Sequence, residues 1–288
     1  MGATVTGGRV LICDPGCPRA LIRHILPHAD VGTVAEAGPG TVALLVSPEA
    51  PVTAADIARA PDLTIIATAS VGTDHIDLAA AAARGIAVAT VPDYCVEEVS
   101  DHALAMILAL RRGLVAGDRS VQAGRWDWTA VGALGRLQAM RVGVVGMGRI
   151  GRRLAEKAAA LGMDVRHHDP FVPGGVELDA LLGWADAVSL HLPLTDETRG
   201  LIDARRLGLM RPDTILVNTA RGPICEREAV KAATHIRAAF DNVWEKPPAP
   251  DLLGLGHLTI TPYVAWYSPE SLDELYLRTA RAVAAALG

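Results

Sequence analysis

The chain alternates short β-branched and apolar runs with longer stretches rich in alanine and leucine. This alternation is typical of parallel βαβ units. In the first ninety-odd residues the strand-like runs are 9–13, 42–46, 63–68 and 86–91, with helices predicted over 53–59 and 77–84. Together these elements predict a small flavodoxin-like unit.

A second series of the same kind follows one long apolar helix, predicted over 96–112 and expected to link two domains, and then a loop that contains 124–128. Its strand-like runs are 141–145, 164–168, 187–191, 214–218, 236–240 and 258–261. Six parallel strands are enough for a dinucleotide-binding sheet. Ser268, Pro269 and Glu270 predict the start of a last helix that runs to about Leu287.

Composition supports this division of the chain. A length of 288 residues exceeds the usual size of one hydrophobic core, so two domains are expected. Half of the residues are apolar and only 4% are aromatic, which suits helices packed closely on sheets. The net charge of −5 gives no basic field for nucleic acid or anionic lipid, so we expect neither partner.

The remaining bulk features concern the cellular compartment. The first fourteen residues lack the basic flank and apolar core of a secretory leader, and no apolar run is long enough to span a bilayer. Of the four cysteines, Cys13 and Cys17 lie close together but lack the second pair that a metal site needs. We expect reduced thiols, no metal and a cytoplasmic location.

The strongest local motif is a glycine-rich turn between a predicted strand and a predicted helix. Directly after the first strand of the second series come Gly146, Gly148 and Gly151. The first glycine permits a tight turn, the second lets the backbone approach a pyrophosphate, and the third lets the helix pack on the strand. Arg149 and Ile150 belong to the same turn, where the helix N-terminus presents free N–H groups to the anion.

An acidic residue follows at the spacing that a dinucleotide site requires. Asp169 lies 18 residues beyond Gly151, at the end of the next predicted strand. Its carboxylate can accept hydrogen bonds from the adenosine ribose hydroxyls and repel a 2′-phosphate, so NAD is favoured over NADP. Two alternatives stay open: Asp169 only begins an Asp-Pro turn, or Arg166 nearby serves NADP.

Several longer segments carry distinctive motifs: 71–77 (VGTDHID), 91–102 (VPDYCVEEVSDH), the glycine turn, 189–195 (SLHLPLT) and 217–222 (VNTARG). Together they resemble the D-isomer-specific 2-hydroxyacid dehydrogenases, and among these the bacterial branch similar to C-terminal-binding proteins. The resemblance covers nearly the whole chain. It implies an α/β fold of two doubly wound parallel-sheet domains: a Rossmann cofactor domain at 97–266, inserted in a flavodoxin-like substrate domain formed by 1–96 and 267–288.

The resemblance also implies how a small acidic substrate is bound in the cleft. Backbone N–H groups of Ser70, Val71 and Gly72 would hold its carboxylate, and Tyr94 is expected either to face the substrate or to pack in the core. Arg221 would clamp the carboxylate and carbonyl, because a planar guanidinium gives two hydrogen bonds and a permanent charge.

The same resemblance assigns cofactor contacts and an assembly. The expected contacts beyond the glycine turn are His191, Pro193, Thr195, Thr219, Ala220 and Asp241. Of these, Asp241 matches the aspartate that reaches the nicotinamide amide. A homodimer is implied, formed largely through arms around 99–128.

The catalytic pair of the family is a histidine held by a glutamate, and this chain departs from it. Tyr263 stands where the family has the histidine of Thr-Pro-His, and Lys246 stands at the glutamate position, with Glu245 one residue away. A phenol with a reference pKa near 10 is a poor base at neutral pH. Neighbouring cations such as Arg221 and Lys246 would favour its ionised form.

Three hypotheses follow from this altered pair. The first is an NAD-dependent oxidoreductase of a small 2-hydroxy or 2-keto acid, with Tyr263 as acid/base, Lys246 as its electrostatic partner and Arg221 as substrate clamp. The second is an altered reaction on a phosphonate, sulfonate or other acidic substrate, with proton transfer left to water or Glu245. The third is an NAD(H)-binding sensor or assembly protein without catalysis.

Overall fold

The structure is a computed structural model that describes residues 8–288 and divides into two compact units. Unit 1 comprises Met1–Tyr94 and Tyr267–Gly288, and unit 2 comprises Cys95–Trp266. The prediction about a leader falls partly on residues 1–7, which lie outside the described residues.

Unit 1 is built on a parallel sheet. Its strands are β1 (Arg9–Ile12), β2 (Asp30–Val31), β3 (Thr41–Val46), β4 (Ile65–Thr68) and β5 (Ala87–Ala89), and its helices are α1 (Arg19–Ile22), α2 (Ala54–Arg59), α3 (Leu78–Ala83) and the last helix of the chain, α10 (Pro269–Leu287). The sheet order β2-β1-β3-β4-β5 is the flavodoxin-like order, which confirms the predicted unit. Among these strands only β2 was not predicted, because its two residues are exposed and form no apolar run.

The C-terminal helix completes unit 1. It packs on β3, β4 and α1, a placement that its sequence pattern alone did not give. The predicted helix start is confirmed, since Ser268 accepts a hydrogen bond from the N–H of Ser271 at 2.9 Å. On the buried side, the Tyr276 hydroxyl donates to the carboxylate of Asp14, directly beyond β1. Both side chains are buried, so this bond joins the end of the chain to its first strand.

Unit 2 carries a larger parallel sheet. Its strands are β6 (Arg141–Val145), β7 (Asp164–His168), β8 (Ala187–Leu190), β9 (Ile215–Asn218), β10 (Arg237–Phe240) and β11 (Leu258–Ile260), and its helices are α4 (Val96–Arg111), α5 (Leu114–Gln122), α6 (Arg149–Ala160), α7 (Leu178–Trp184), α8 (Ala204–Leu209) and α9 (Arg227–Ala232). The sheet order is β7-β6-β8-β9-β10-β11, and neighbouring strands pair in parallel. The six predicted strands are therefore confirmed.

One predicted loop is wrong in part. The segment after α4 was expected to be irregular, but it contains helix α5. Gly113, with φ of +62°, adopts the left-handed conformation that separates α4 from α5. Helix α5 exposes Leu114 and Val121, so its apolar residues do not mark a buried face.

Side chains alternate between two hydrophobic cores across the sheet of unit 2. Val142 and Val144 on β6 pack in one core with residues of α4 and α6. Val145 on the same strand belongs to the other core, with Leu181 of α7. A sheet buried on both faces explains why these strands read as continuous apolar runs.

The strand order also fixes where a ligand would bind. The chain moves from β6 outward to β7 and then returns past β6 to β8, so the direction of winding reverses between β6 and β8. In open α/β sheets, ligands bind outside the carboxyl ends of the strands at this switch point. The glycine turn follows β6 directly, which places it at that position.

Two bulk properties complete the description. Within residues 8–288, no helix combines the length and apolar character needed to cross a membrane. Cys13, Cys17, Cys95 and Cys225 form no disulfide and are buried. Burial raises the pKa of both the Cys13 and Cys17 thiols to about 12, so neither is a reactive thiolate at neutral pH.

The bond between Tyr276 and Asp14 generates a stability prediction. We expect Tyr276→Phe to lower the free energy of unfolding by about 1–3 kcal/mol, because the buried Asp14 carboxylate loses one of its hydrogen-bond donors and keeps, among the described residues, only the Gly16 N–H as a donor. Urea unfolding followed by circular dichroism measures this change. Tyr267→Phe, at a half-exposed tyrosine, is the matched control and is expected to change it by less. Equal losses in the two variants would contradict a specific role for the Tyr276 hydroxyl.

Candidate cofactor and active site

Two of the three glycines in the turn are required by close packing. Gly146 has φ of +93°, and a Cβ there would lie 2.3 Å from the carbonyl oxygen of His191. A Cβ on Gly151 would lie 2.0 Å from the carbonyl oxygen of Gly146. The first glycine therefore lets the ends of β6 and β8 approach, and the third lets α6 begin against the turn.

Gly148 is different, because neither conformation nor packing requires a glycine there. Its φ is −68°, which any residue adopts, and a Cβ would meet no protein atom within 4 Å. The space beside it is open, and it adjoins the N-terminus of α6, where unpaired N–H groups favour an anion. This arrangement fits a pyrophosphate that approaches the backbone closely.

The Asp169 carboxylate ties the glycine turn to the end of β7. One oxygen accepts a hydrogen bond from the Met147 N–H at 2.7 Å, and the other accepts from the Phe171 N–H at 2.9 Å. The second bond is the Asp-Pro turn considered as an alternative, so the residue has both contacts at once. Burial raises the pKa of Asp169, but the two amide bonds outweigh it and leave the pKa below its ordinary value. The carboxylate is therefore ionised at neutral pH, as an acceptor for ribose hydroxyls must be.

Arg166, the residue that left NADP open, has a partner on helix α7. Its guanidinium stacks over the Trp184 ring, 4.2 Å from the centroid. A cation–π contact of this kind holds a guanidinium in place. The contact argues against a dedicated role for Arg166 in binding a 2′-phosphate.

His191, Pro193 and Thr195 follow β8 at the switch point. The Nε2 atom of His191 lies 2.8 Å from the Ser189 hydroxyl. Burial lowers the pKa of His191 to about 4, so its imidazole is neutral at neutral pH. Pro193 and Thr195 are exposed. The cofactor contacts predicted for these residues stay predictions.

Thr219, like the open space at Gly148, fits a bound cofactor. The residue is only 8% exposed, and its hydroxyl oxygen is buried with no hydrogen-bond partner among the described residues. A buried polar group without a partner costs free energy, so native proteins pair such groups with protein atoms, water or a ligand. Thr219 directly follows β9, at the ligand-binding edge of the sheet. The open space at Gly148, the ionised Asp169 and this hydroxyl together fit NAD(H).

The loop that carries Arg221 is held by two asparagines. The Asn218 side chain accepts from the Ala220 N–H at 3.0 Å and donates to the Arg221 carbonyl at 2.8 Å. Asn242 donates to the Ala220 carbonyl at 3.3 Å. The asparagines thus hold the loop's backbone from two sides. Sequence reasoning did not predict this role, although an asparagine at the end of a buried strand is a usable signal.

Asp241 has a structural task that the sequence did not reveal. Its carboxylate accepts hydrogen bonds from the Thr261 hydroxyl at 2.6 Å and from the N–H groups of Val264 and Ala265, each at 2.9 Å. The side chain is nearly inaccessible to solvent. Asp241 therefore fixes the loop from Thr261 to Ala265, and its predicted contact with nicotinamide stays a prediction.

Tyr263 lies inside this fixed loop in an uncommon conformation. Its φ of +56° is left-handed, which costs about 1–2 kcal/mol for a non-glycine residue. Hydrogen bonds on both sides hold it: the Tyr263 N–H donates to the Asp241 carbonyl at 2.9 Å, and the Trp266 indole donates to the Tyr263 carbonyl at 3.0 Å. Backbone strain of this kind clusters at functional sites.

The structure brings Lys246 to Tyr263 and places Glu245 elsewhere. The Lys246 Nζ atom lies 3.7 Å from the centroid of the Tyr263 ring, a cation–π distance. The Glu245 carboxylate is half exposed and lies 3.5 Å from an Arg227 guanidinium nitrogen. Tyr263 and Lys246 are therefore in contact, whereas Glu245 pairs with Arg227.

The predicted substrate-binding residues of unit 1 follow strands β4 and β5. Ser70 is buried and Val71 is 41% exposed, in a loop at the carboxyl end of β4. Tyr94 is only 8% exposed. An exposed loop at a strand's carboxyl end is a suitable place for ligand-binding amides.

Comparison with known proteins now assigns the class. Residues 104–265 match the model described as D-isomer specific 2-hydroxyacid dehydrogenase, NAD binding domain. The chain belongs to the D-isomer specific 2-hydroxyacid dehydrogenase family and carries its NAD-binding domain. The narrower branch similar to C-terminal-binding proteins stays a prediction.

Individual relatives span a range of substrates. The chain is 38% identical to D-3-phosphoglycerate dehydrogenase of Mycobacterium bovis over 86% of its own length and 50% of that protein, so it spans about half the length of this relative. It is 37% identical to (S)-sulfolactate dehydrogenase of Chromohalobacter salexigens, over 90% of the chain and 89% of the relative. The crystal structure of D-lactate dehydrogenase from Aquifex aeolicus, complexed with NAD and lactic acid, superimposes with a TM-score of 0.87 at 27% identity, covering 96% of this chain and 94% of that one.

The contrast between Gly148 and Gly151 generates a test of the cofactor site. We expect Gly148→Ala to change the free energy of unfolding by less than about 1 kcal/mol, because its Cβ meets no protein atom. The same Cβ should weaken NADH binding about tenfold or more by filling the space of the pyrophosphate. Thermal unfolding and NADH fluorescence titration measure the two effects.

Gly151→Ala serves as the matched control for this prediction. Its Cβ would collide with the Gly146 backbone, so it should destabilise the protein even without cofactor. Unchanged NADH affinity in a stable Gly148→Ala protein would remove the argument for pyrophosphate at this position.

Proposed function

We propose that this chain is an NAD-dependent oxidoreductase of small 2-hydroxy or 2-keto acids in which Tyr263 transfers the proton. The contact between the Lys246 ammonium and the Tyr263 ring carries this proposal. The charge of Lys246 lies where it favours an ionised phenol, and the fixed loop holds the backbone of Tyr263 in its left-handed conformation. A tyrosine assisted by a lysine thus takes the place of the family's histidine and glutamate.

The chemistry divides between cofactor and protein. NAD(H), when bound, supplies or accepts the hydride at the carbon that carries the hydroxyl or keto oxygen. In the reducing direction Tyr263 donates its phenolic proton to that oxygen, and the positive charge of Lys246 stabilises the phenolate that results. In the oxidising direction the same phenolate accepts the proton.

Substrate binding is proposed for residues of both units. In unit 2, the Arg221 guanidinium would bind the substrate carboxylate with two charge-assisted hydrogen bonds. Its loop is fixed by Asn218 and Asn242, which supports a defined orientation. In unit 1, the backbone amides of Ser70, Val71 and Gly72 would bind a carboxylate, and Tyr94 stays a candidate for contact with the substrate.

The cofactor contacts follow the same reasoning. The amides of the glycine turn, including those of Arg149 and Ile150, would bind the pyrophosphate. Asp169 would accept the ribose hydroxyls, since its ionised carboxylate also excludes a 2′-phosphate. The unpaired hydroxyl of Thr219 would pair with the bound cofactor.

A second candidate function has one observation in its favour. One relative, matched over 90% of this chain and 89% of its own length, is named (S)-sulfolactate dehydrogenase. A substrate with a sulfonate as well as a carboxylate would suit a site with two cations, Arg221 and Lys246. Under this alternative Lys246 binds the second anion, and proton transfer falls to water or Glu245.

We also propose a cytoplasmic homodimer. The four cysteines are buried and form no disulfide, which suits a reducing compartment. On unit 2, Trp126 is 93% exposed and Trp128 is 85% exposed, next to helix α5 with its exposed Leu114 and Val121. Exposed apolar groups of this size mark an interaction surface, and they belong to the segment that the family resemblance assigns to dimer arms.

The homodimer is tested by changing the two tryptophans. We expect the wild-type chain to elute as a dimer in size-exclusion chromatography with light scattering. The double variant Trp126→Ser and Trp128→Ser should dissociate at micromolar concentrations, because large aromatic side chains contribute most to such interfaces. Phe171→Ser is the control, since Phe171 is 92% exposed but lies outside this segment. A dimer that persists unchanged in the double variant would refute the proposed surface.

The catalytic role of Tyr263 is tested by removing one oxygen. We expect Tyr263→Phe to lower kcat for reduction of glyoxylate, pyruvate or hydroxypyruvate by NADH about 100-fold or more, because general acid catalysis is lost. Lys246→Met should lower kcat in the same direction and shift the pH–rate profile to higher pH, since the phenol loses its cation. NADH affinity should not change in either variant.

Controls and substrates separate the three hypotheses. Tyr267→Phe, the neighbouring half-exposed tyrosine, should retain wild-type kcat. Preference for 3-sulfopyruvate over unsubstituted keto acids, with Tyr263→Phe fully active, would favour the sulfonate alternative. Tight NADH binding without turnover of any acid would favour the non-catalytic sensor.

A further inference from the structure

A chain of hydrogen bonds lies beneath the loop that follows β4 in unit 1. The Ser70 hydroxyl donates to the Gly72 carbonyl at 2.6 Å. The Thr68 hydroxyl lies 2.8 Å from the Ser70 hydroxyl and 2.9 Å from Nε2 of His75. Thr68 and Ser70 are buried, so these groups cannot exchange their partners freely with water.

The donors and acceptors of this chain can be assigned from one end. A serine hydroxyl has a single proton, and a carbonyl oxygen only accepts, so the Ser70 proton goes to Gly72. The bond between Ser70 and Thr68 must then use the Thr68 proton. With that proton committed, the Thr68 oxygen must accept from His75. His75 therefore carries a hydrogen on Nε2.

The direction of these hydrogen bonds constrains the loop of Ser70, Val71 and Gly72. The bond from the Ser70 hydroxyl to the Gly72 carbonyl fixes the peptide unit between Gly72 and Thr73 and closes a ring around the backbone of Ser70, Val71 and Gly72. Because the Ser70 proton is used inside the loop, the side chain does not offer it to a ligand. Binding through Ser70, Val71 and Gly72 must then come from the backbone amides, whose directions the chain sets.

We propose that Thr68 and His75 are positioning residues that hold the loop of Ser70, Val71 and Gly72 in the shape that binds a carboxylate, with His75 as an Nε2–H donor. The proposal rests on the proposed function, in which this loop binds the substrate. Neither Thr68 nor His75 contacts the substrate. They act through the Ser70 hydroxyl and the Gly72 carbonyl.

Thr68→Val and Thr68→Ser form a matched pair for the kinetic test. Valine has the shape of threonine but breaks both bonds of the Thr68 hydroxyl, whereas serine keeps them. We expect Thr68→Val to raise KM for the keto acid about tenfold, as for a lost buried hydrogen bond, with kcat and NADH affinity nearly unchanged. Thr68→Ser should restore KM. Equal KM values in the two variants and the wild type would overturn the proposal.

The protonation of His75 is tested without activity. In ¹⁵N–¹H spectra of the full-length protein, the His75 ring, assigned by its loss in His75→Gln, should show a proton on Nε2 with slow solvent exchange. The exchange should become faster in Thr68→Val and stay slow in Thr68→Ser. An Nδ1–H tautomer without a proton on Nε2 would overturn the proposed direction of the hydrogen bonds from His75 through Thr68 to Ser70. If the spectra show the Nε2 proton of His75 but the wild type reduces no acid, the proposed function fails while the assignment of the hydrogen bonds stands.

Discussion

The hydrogen bond from the Met147 amide to the Asp169 carboxylate is the contact on which the cofactor site depends. It joins the glycine turn after β6 to the end of β7. Gly146 lets the same turn lie close to the backbone of His191, directly after β8. Three strand ends are thus held together at the switch point of the sheet. The open space at Gly148 and the ionised state of Asp169 both result from this arrangement.

The carboxylate of Asp241 likewise holds a loop at the edge of the same sheet. Asp241 holds the backbone from Thr261 to Ala265, and the left-handed Tyr263 persists because that loop is fixed. The Lys246 ammonium lies 3.7 Å from the centroid of the ring carried by this residue. Under the proposed function, the chain keeps the family's scaffold and changes the residues that meet the reacting atoms. A family assignment alone therefore does not give the acid/base group.

The sheet and the glycine turn were predictable because their signals are local. Runs of apolar residues mark buried parallel strands, and the spacing of Gly146, Gly148 and Gly151 is readable without any tertiary contact. Helix α5 was missed because its apolar residues are exposed, and β2 because it has two residues. The contact of Lys246 with Tyr263 was a hypothesis, because the sequence gives no distance between the two side chains. The bonds made by Asp241 depend on distances between neighbouring strand ends that the sequence does not contain. The bonds of Asn218 are local, within three residues, and were missed although their signal lies in the sequence.

The central claim is that the turn and Asp169 together form a site for NAD(H). The most direct measurement titrates the purified chain with NADH and, separately, with NADPH, following the nicotinamide fluorescence. The account predicts saturable binding of NADH and at least about tenfold weaker binding of NADPH, since the carboxylate accepts ribose hydroxyls and repels a 2′-phosphate. No binding of either dinucleotide, or equal affinity for both, would contradict it.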